Sequence, residues 1–324
     1  MPRPPQHYAV LPVALMLACS VGGAEADESP REAIMNPKAE QRVHVTQGYG
    51  RWFPSDPTDL RRQINGYINA ADGVMLSGPI VAAIAPHAGY AYSGPVAGHT
   101  FRAIRDSARG GHTPDTVVVL GLSHRGSPPG AALLDADLIR SPLGAVPIDR
   151  DTTTRMAEGR DRLHLDSAPH RGEHSAENEI PFLQVALPDT PLVVGIIGDH
   201  DPRTLKQLGE ALKAIATTRS ILVVASTDLL HDADYDKVTR TDKGTLKHIA
   251  ALDIPALAGS WDYRHQVCCG IGPVLASMTY ARAQGCTEGI LLHYRNSGDD
   301  HPASRGEWVV GYGAVVFCGP RPPS

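Results

Sequence analysis

Short, nearly continuous apolar runs recur along the chain: Ile80 to Ala85, Val117 to Leu122, Leu192 to Ile197, Ile221 to Ala225, Ile290 to Leu292 and Val309 to Phe317. They are rich in Val and Ile and lack strict alternation, the pattern of strands buried on both faces, as parallel strands are. Helical periodicity falls between them, over Gly94 to Arg105, Thr152 to Gly159, Ser175 to Leu187, Pro202 to Ala216, Thr239 to Leu252 and Gly272 to Ala283. Strands alternating with helices require crossover connections. The predicted fold class is therefore α/β, a central, mostly parallel or mixed sheet flanked by helices on both faces. Trp52-Phe53-Pro54 and the polar amphipathic stretch after it predict a loop and a first helix between Arg51 and Asn69. The Pro/Gly-rich loop Arg125 to Gly130 and the hydrophilic stretch Arg160 to Glu173 are the longest irregular segments, and either is a candidate lid.

At 324 residues the chain exceeds one typical domain, yet α/β folds often pass 250 residues as one unit. The expected division is a single domain over residues 51–318, preceded by a linker at 27–50 and followed by a short tail at 319–324. The formal net charge of −5 changes the list of partners, because a phosphate backbone is held by clustered Lys and Arg, which this chain lacks. A small-molecule or peptide ligand is expected instead of nucleic acid. Fifteen histidines add metal binding to that expectation, since imidazole is the commonest metal ligand.

The first 26 residues read as a signal: Arg3 supplies a positive charge, Tyr8 to Ser20 is mostly apolar, and Ala24-Glu25-Ala26 offers a cleavage site. Leu15-Met16-Leu17-Ala18-Cys19 resembles a bacterial lipoprotein signal, so a membrane tether through lipidated Cys19 stands beside soluble release. The expectation is an exported protein, periplasmic or lipid-anchored in a bacterial cell envelope. Elsewhere no apolar run approaches the length needed to span a bilayer. An oxidising compartment would permit a disulfide such as Cys286 to Cys318, although sequence does not fix connectivity.

The chemistry gathers where the strands end. Ile80 to Ala85 runs into Pro86-His87-Ala88-Gly89-Tyr90, Val117 to Leu122 into Ser123-His124-Arg125-Gly126, and Ile221 to Ala225 into Ser226-Thr227-Asp228-Leu229-Leu230-His231. Ligands of open α/β sheets bind outside the carboxyl ends of the strands, so these side chains converge if the strands are neighbours. Pro86 and Gly89 shape a turn around His87, Gly94 and Gly98 allow close backbone approach, and Tyr90 and Tyr92 supply phenol donors. Leu192 to Ile197 also ends near Asp199 and His200, but His200 lacks such a setting and reads as an ordinary loop residue. Asp228 and His231 form a D-x-x-H pair able to ligate metal, to orient an imidazole or to act as an acid/base couple. His174 and Glu177 stand three apart at a helix start, hence on one face; Glu there serves equally as a cap. Cys269 precedes a predicted helix whose N-terminus would lower the thiol pKa, the alternative being a small buried hydrophobe.

Taken together, Ala85-Pro86-His87-Ala88-Gly89-Tyr90-Ala91-Tyr92-Ser93-Gly94, Gly121-Leu122-Ser123-His124, Glu173-His174-Ser175-Ala176-Glu177, Ser226-Thr227-Asp228-Leu229-Leu230-His231 and Cys269-Gly270-Ile271-Gly272-Pro273 resemble the Memo family, also called AmmeMemoRadiSam system protein B. The resemblance spans most of the chain, from about Arg51 to Phe317. It implies a fold like that of the class III extradiol dioxygenases, which hold non-haem iron with two histidines and a glutamate. It also implies that His87 and His124 are the pocket histidines, Asp228 and His231 the acidic and third histidine positions, and Cys269 the pocket cysteine. Cysteine in place of glutamate argues against ring cleavage, and a His/His/Cys set suits iron or copper in preference to zinc.

Two functions compete for these residues. The first is a metal-dependent redox enzyme, dioxygenase- or oxidase-like, with metal on His87, His124, Cys269 and His231. In it His231 doubles as acid/base, Asp228 orients His231, His174 donates a proton and Tyr90 orients substrate. The second is a non-catalytic metal- or peptide-binding protein that uses the same pocket. A metal-dependent hydrolase fits less well, because the binuclear spacings, a Gly-rich phosphate loop and a G-x-S-x-G elbow are missing.

Overall fold

The computed structural model describes residues 41–320. In chain order the first half contains β1 (Val43–Val45), α1 (Pro57–Ala70), β2 (Ile80–Ala85), α2 (Tyr90–Arg109), β3 (Thr116–Leu122), β4 (Ala131–Leu133), β5 (Leu138–Ser141) and β6 (Gly144–Pro147). Then come α3 (Arg150–Ala157), β7 (Leu163–Leu165), α4 (Ile180–Ala186), β8 (Leu192–Ile197), α5 (Pro202–Ala216), β9 (Ile221–Ser226) and β10 (His231–Asp232). The chain continues through α6 (Tyr235–Ala250), α7 (Ile254–Gly259), α8 (Ile271–Ala283), β11 (Ile290–Asn296), α9 (Ser297–Asp300) and β12 (Val309–Cys318).

The main sheet is mixed, in the order β10-β12-β2-β9-β3-β8-β4-β7, with β11 also paired to β12. Its centre, β2-β9-β3-β8, is parallel, and β12 closes antiparallel on β2. Burial on both faces explains the unbroken apolar runs: Val117 and Val119 enter one core with α1, α2 and α4, whereas Val118 and Leu120 enter the other with α5, α6 and α8. A small second sheet, β1-β5-β6, begins inside the stretch 27–50 expected as a linker.

Helix starts follow their caps. Asp56 accepts from the Thr58 and Asp59 N–H groups before Pro57 opens α1, and Asp201 does the same for Arg203 before Pro202 opens α5. A capping acceptor followed by proline satisfies amide groups that the first helical turn leaves free. The sequence expectation missed the short strands β4 to β7, which carry only three or four residues each. The expected helix from Ser175 to Leu187 is a 3-10 turn at Glu177–Glu179 followed by α4. The two candidate lids are tied together, with the Arg125 guanidinium donating to the Gly172 carbonyl. Cys268, Cys269, Cys286 and Cys318 are all free thiols, so the disulfide that an oxidising compartment would permit is not formed. Among the described residues no helix is long and apolar enough to cross a membrane.

Candidate metal centre

Because β2, β9 and β3 are adjacent and parallel, the residues just past their ends meet at one edge of the sheet. His87 follows β2, Asp228 follows β9 and His124 follows β3. Cys269 arrives from the loop before α8, where its N–H donates to the Asp228 carbonyl at 3.1 Å and the Gly270 N–H to Thr227 Oγ1 at 2.8 Å. Gly270 is required for that seat, since a Cβ there would lie 2.5 Å from the Ser226 carbonyl oxygen. One ligand atom each from His87, His124 and Cys269 falls within 4.8 Å of the others. A second group of that reach is His124, Glu173 and His174.

Each histidine is fixed through its Nδ1 side. His124 Nδ1 pairs with Glu173 Oε1 at 2.9 Å, while its backbone N–H donates to Oε2 at 2.6 Å. The His174 and Ser175 N–H groups also donate to Glu173 Oε1, each at 2.8 Å. Burial alone would raise the Glu173 carboxyl, but these bonds outweigh it and hold the group well below the usual carboxylate range. His87 Nδ1 meets Ser226 Oγ at 2.9 Å, and its Nε2 lies 3.4 Å from Cys269 Sγ. Burial, reinforced by His124, pushes His87 down to about 3, so the imidazole is neutral at pH 7 and its nitrogen is available as a donor to metal.

Several expectations need correction. His231 is not in either ligand group; it is exposed on β10 and lines a cavity of about 510 Å³ that also reaches Cys269 and Trp308. Asp228 is hydrogen-bonded to the His87 turn and not to His231: its Oδ1 accepts from the His87 and Ala88 N–H groups at 2.9 and 3.2 Å, while its charge still acts on the His231 imidazole. Tyr90 cannot orient substrate: it is buried, and its hydroxyl donates to the Asn178 carbonyl at 2.6 Å. His174 and Glu177 do not act together, since Glu177 Oε1 pairs with His44 Nε2 and its Oε2 accepts from the Gln47 N–H, both at 2.5 Å. His174 is instead sandwiched between the rings of Trp52, 4.1 Å away, and His124, 4.7 Å away. Burial and the neighbouring His87 push it down to about 3, so at pH 7 it is neutral and holds no imidazolium proton to donate. For Cys269 the expected lowering is reversed, as burial and the Asp228 carboxylate push the thiol well above its ordinary value.

Sequence reasoning missed Glu173, Ser226 and Trp52 as members of the site, although the first two lie inside motifs that it singled out. Their partners are 49, 139 and 122 positions away in sequence, so no local pattern joins them. A second cavity, of about 560 Å³, opens at Ala88 and Gly89 of the His87 turn, between Trp52, Tyr92, Trp308 and Tyr312. Trp308 stands between the two cavities, lining both.

Known proteins resemble this one over the same residues. A MEMO1 family protein of Methanopyrus kandleri is 34% identical over 280 residues, covering 83% of this chain and 96% of its own length. One from Methanothermobacter thermautotrophicus is 32% identical over 261 residues, covering 77% and 92%. An uncharacterized Escherichia coli K12 protein of solved structure aligns with a TM-score of 0.43 at 13% identity, covering 66% of this chain and 91% of that one. The relatives overturn the expectation of export. They are archaeal MEMO1 family proteins matched over nearly their whole lengths, and they lend no support to a signal, a periplasmic location or a lipid anchor at Cys19 in a bacterial envelope. Residues 1–26 and Cys19 lie outside the described residues. The family model of Memo-like proteins matches residues 46–316, the stretch that builds the strand-end site, and the chain belongs to the Memo family.

Proposed function

We propose that the protein is a metal-dependent redox enzyme, dioxygenase- or oxidase-like, which holds iron or copper on His87, His124 and Cys269. The observation that carries this reading is the convergence of two imidazole nitrogens and one sulfur within 4.8 Å at the carboxyl edge of the sheet. The donor set fits such a metal, because a thiolate beside two imidazoles favours soft or borderline ions over magnesium or calcium. When bound, the metal supplies redox and Lewis-acid chemistry.

The remaining steps belong to the chain. Glu173 holds His124 with its Nδ1 occupied, and Ser226 does the same for His87, the outer-shell arrangement that orients a metal-ligating imidazole. The two flanking cavities fall within the roughly 300–1,000 Å³ usual for small-molecule sites. Trp52 and Trp308 offer flat apolar surface to a ligand entering the larger one. Neutral His174, facing His87 at 5.6 Å between ring centroids and stacked on Trp52, offers such a ligand a hydrogen-bonding imidazole instead of a cation. Metal or peptide binding without turnover is the competing use of the same pocket.

The test is elemental analysis of protein purified without added metal, repeated for His87→Ala and His124→Ala. Stoichiometric iron or copper in the wild type, lost from both variants, is expected; equal metal in all three removes the site. Oxygen consumption with a catechol or another reductant then separates turnover from stoichiometric capture.

A further inference from the structure

Three atoms surround the Ser226 hydroxyl at hydrogen-bond distance: the Ser175 carbonyl oxygen at 2.6 Å, Glu179 Oε1 at 2.7 Å and His87 Nδ1 at 2.9 Å. Oxygen pairs this close require a proton between them. The hydroxyl has one proton and two acceptor lone pairs. The Ser175 carbonyl can only accept, so the hydroxyl proton lies on that side. Both remaining neighbours must then donate to Ser226 Oγ, or lone pairs would face each other. Glu179 Oε1 therefore carries a proton, and so does His87 Nδ1.

The surroundings agree with this proton count. Glu179 is buried on the 3-10 turn before α4, and its Oε2 has no hydrogen-bond partner among the described residues. No Lys or Arg pairs with it among the described residues, and the charged group that acts on it, Asp228, is itself acidic. Burial raises the carboxyl well above its ordinary value, with Asp228 adding to the effect. An ionised carboxylate in that position would be a buried charge with one hydroxyl for company.

We propose that Glu179 is a protonated positioning residue: its neutral carboxyl donates to Ser226, which locks His87 in the Nδ1–H tautomer and turns the Nε2 lone pair toward Cys269 and the metal position. The tautomer lock stands on the hydrogen-bond geometry, whereas its use for metal rests on the function proposed above. Sequence alone hides it, because Glu179 and His87 are joined only through a serine 47 residues from one and 139 from the other.

The tautomer and the carboxyl proton are read on metal-free protein at pH 7. Long-range proton–nitrogen correlation of the imidazoles should show His87 protonated on Nδ1 in the wild type and in Glu179→Gln, whose amide N–H replaces the carboxyl donor. The wild-type minus Glu179→Gln infrared difference should contain the carbonyl band of a protonated carboxyl group. An Nε2–H tautomer in the wild type, or no such band, overturns the proposal; the wild-type tautomer alone decides it if a variant does not fold. In Co(II) titration, Glu179→Gln should bind within about threefold of wild type, and Glu179→Leu about 10–100-fold more weakly, as outer-shell losses do. A Gln variant as weak as the Leu variant would show that charge, not the donated proton, matters. Failure of wild type to bind Co(II) would count against the metal reading and leave the tautomer result standing.

Discussion

Cys268 and Cys269 are neighbours in sequence with opposite fates. Cys268 is fully buried among apolar side chains of the α8 face, whereas Cys269 turns its sulfur to 3.4 Å from His87 Nε2. The helix N-terminus beside Cys269 favours a thiolate, but burial and Asp228 win in the bare site, so metal must displace a proton to bind. Binding through this sulfur is therefore expected to weaken as pH falls, because protons compete for it. Co(II)-loaded protein should show thiolate charge-transfer absorption that Cys269→Ser abolishes and Cys268→Ala retains. Loss of the band in the Cys268 variant, with the fold intact by circular dichroism, would assign the ligand to the wrong sulfur.

Helix α2 carries His87's turn at its N-terminus and packs along α1 through Gly94 and Gly98. A Cβ at Gly98 would stand 2.6 Å from the Tyr67 carbonyl oxygen, a backbone atom that cannot swing aside. Two effects oppose each other in Gly98→Ala. Alanine gains about 1 kcal/mol of helix propensity, while forcing apart two packed helices costs about 1–3 kcal/mol. The contact should win, giving a net loss of up to about 2 kcal/mol in urea unfolding. A stabilised variant would mean that α1 yields easily, and the approach would not fix the frame of the His87 turn.

Across the whole molecule, buried titratable groups set opposing pH trends in stability. Burial lowers His87 and His174 to about 3 and His170 to about 4, so the unfolded chain binds more protons below 6.5 and stability falls as pH drops from there. Asp242 acts in reverse. It is enclosed by α6, β11 and β12 and accepts from the Leu230 N–H at 3.0 Å and the Tyr294 hydroxyl at 2.9 Å. Burial pushes its carboxyl from 3.8 up to about 7, so its contribution is fully present below 3.8 and is lost progressively as pH rises from there to about 7. Asp242→Asn mimics the neutral acid and should raise stability by about 1–2 kcal/mol at pH 5, where the unfolded carboxyl is already ionised. At pH 8 it should raise stability by on the order of 2–4 kcal/mol, at ~1.4 kcal/mol for each tenfold change in proton affinity. Chemical denaturation at the two pH values checks this, and a variant weaker at both would mean that the ionised form is the native one.

The extent of the central strands was legible in sequence because burial on both faces leaves a run of Val, Ile and Ala; β11, read only as Ile290 to Leu292, runs on to Asn296 through partly exposed polar residues that carry no such run. Pro202 to Ala216 was read with both ends correct, since an Asp-Pro start carries its own chemistry. Short strands such as Ala131–Leu133 were not legible, because three apolar residues have no period. His87 and His124 stood out because they follow those runs directly, and the motifs around them, with Cys269, matched a known family. What each side chain does was decided only by tertiary structure. The sheet order brings β2, β9 and β3 together, and that juxtaposition assigned Asp228 to the His87 backbone, moved His231 out to a cavity wall and spent the Tyr90 hydroxyl on Asn178. It also supplied Glu173, Ser226 and Glu179 as the groups that fix the two imidazoles. Hydrogen bonds between residues tens to hundreds of positions apart leave no local pattern, whereas burial of a strand writes itself into consecutive residues.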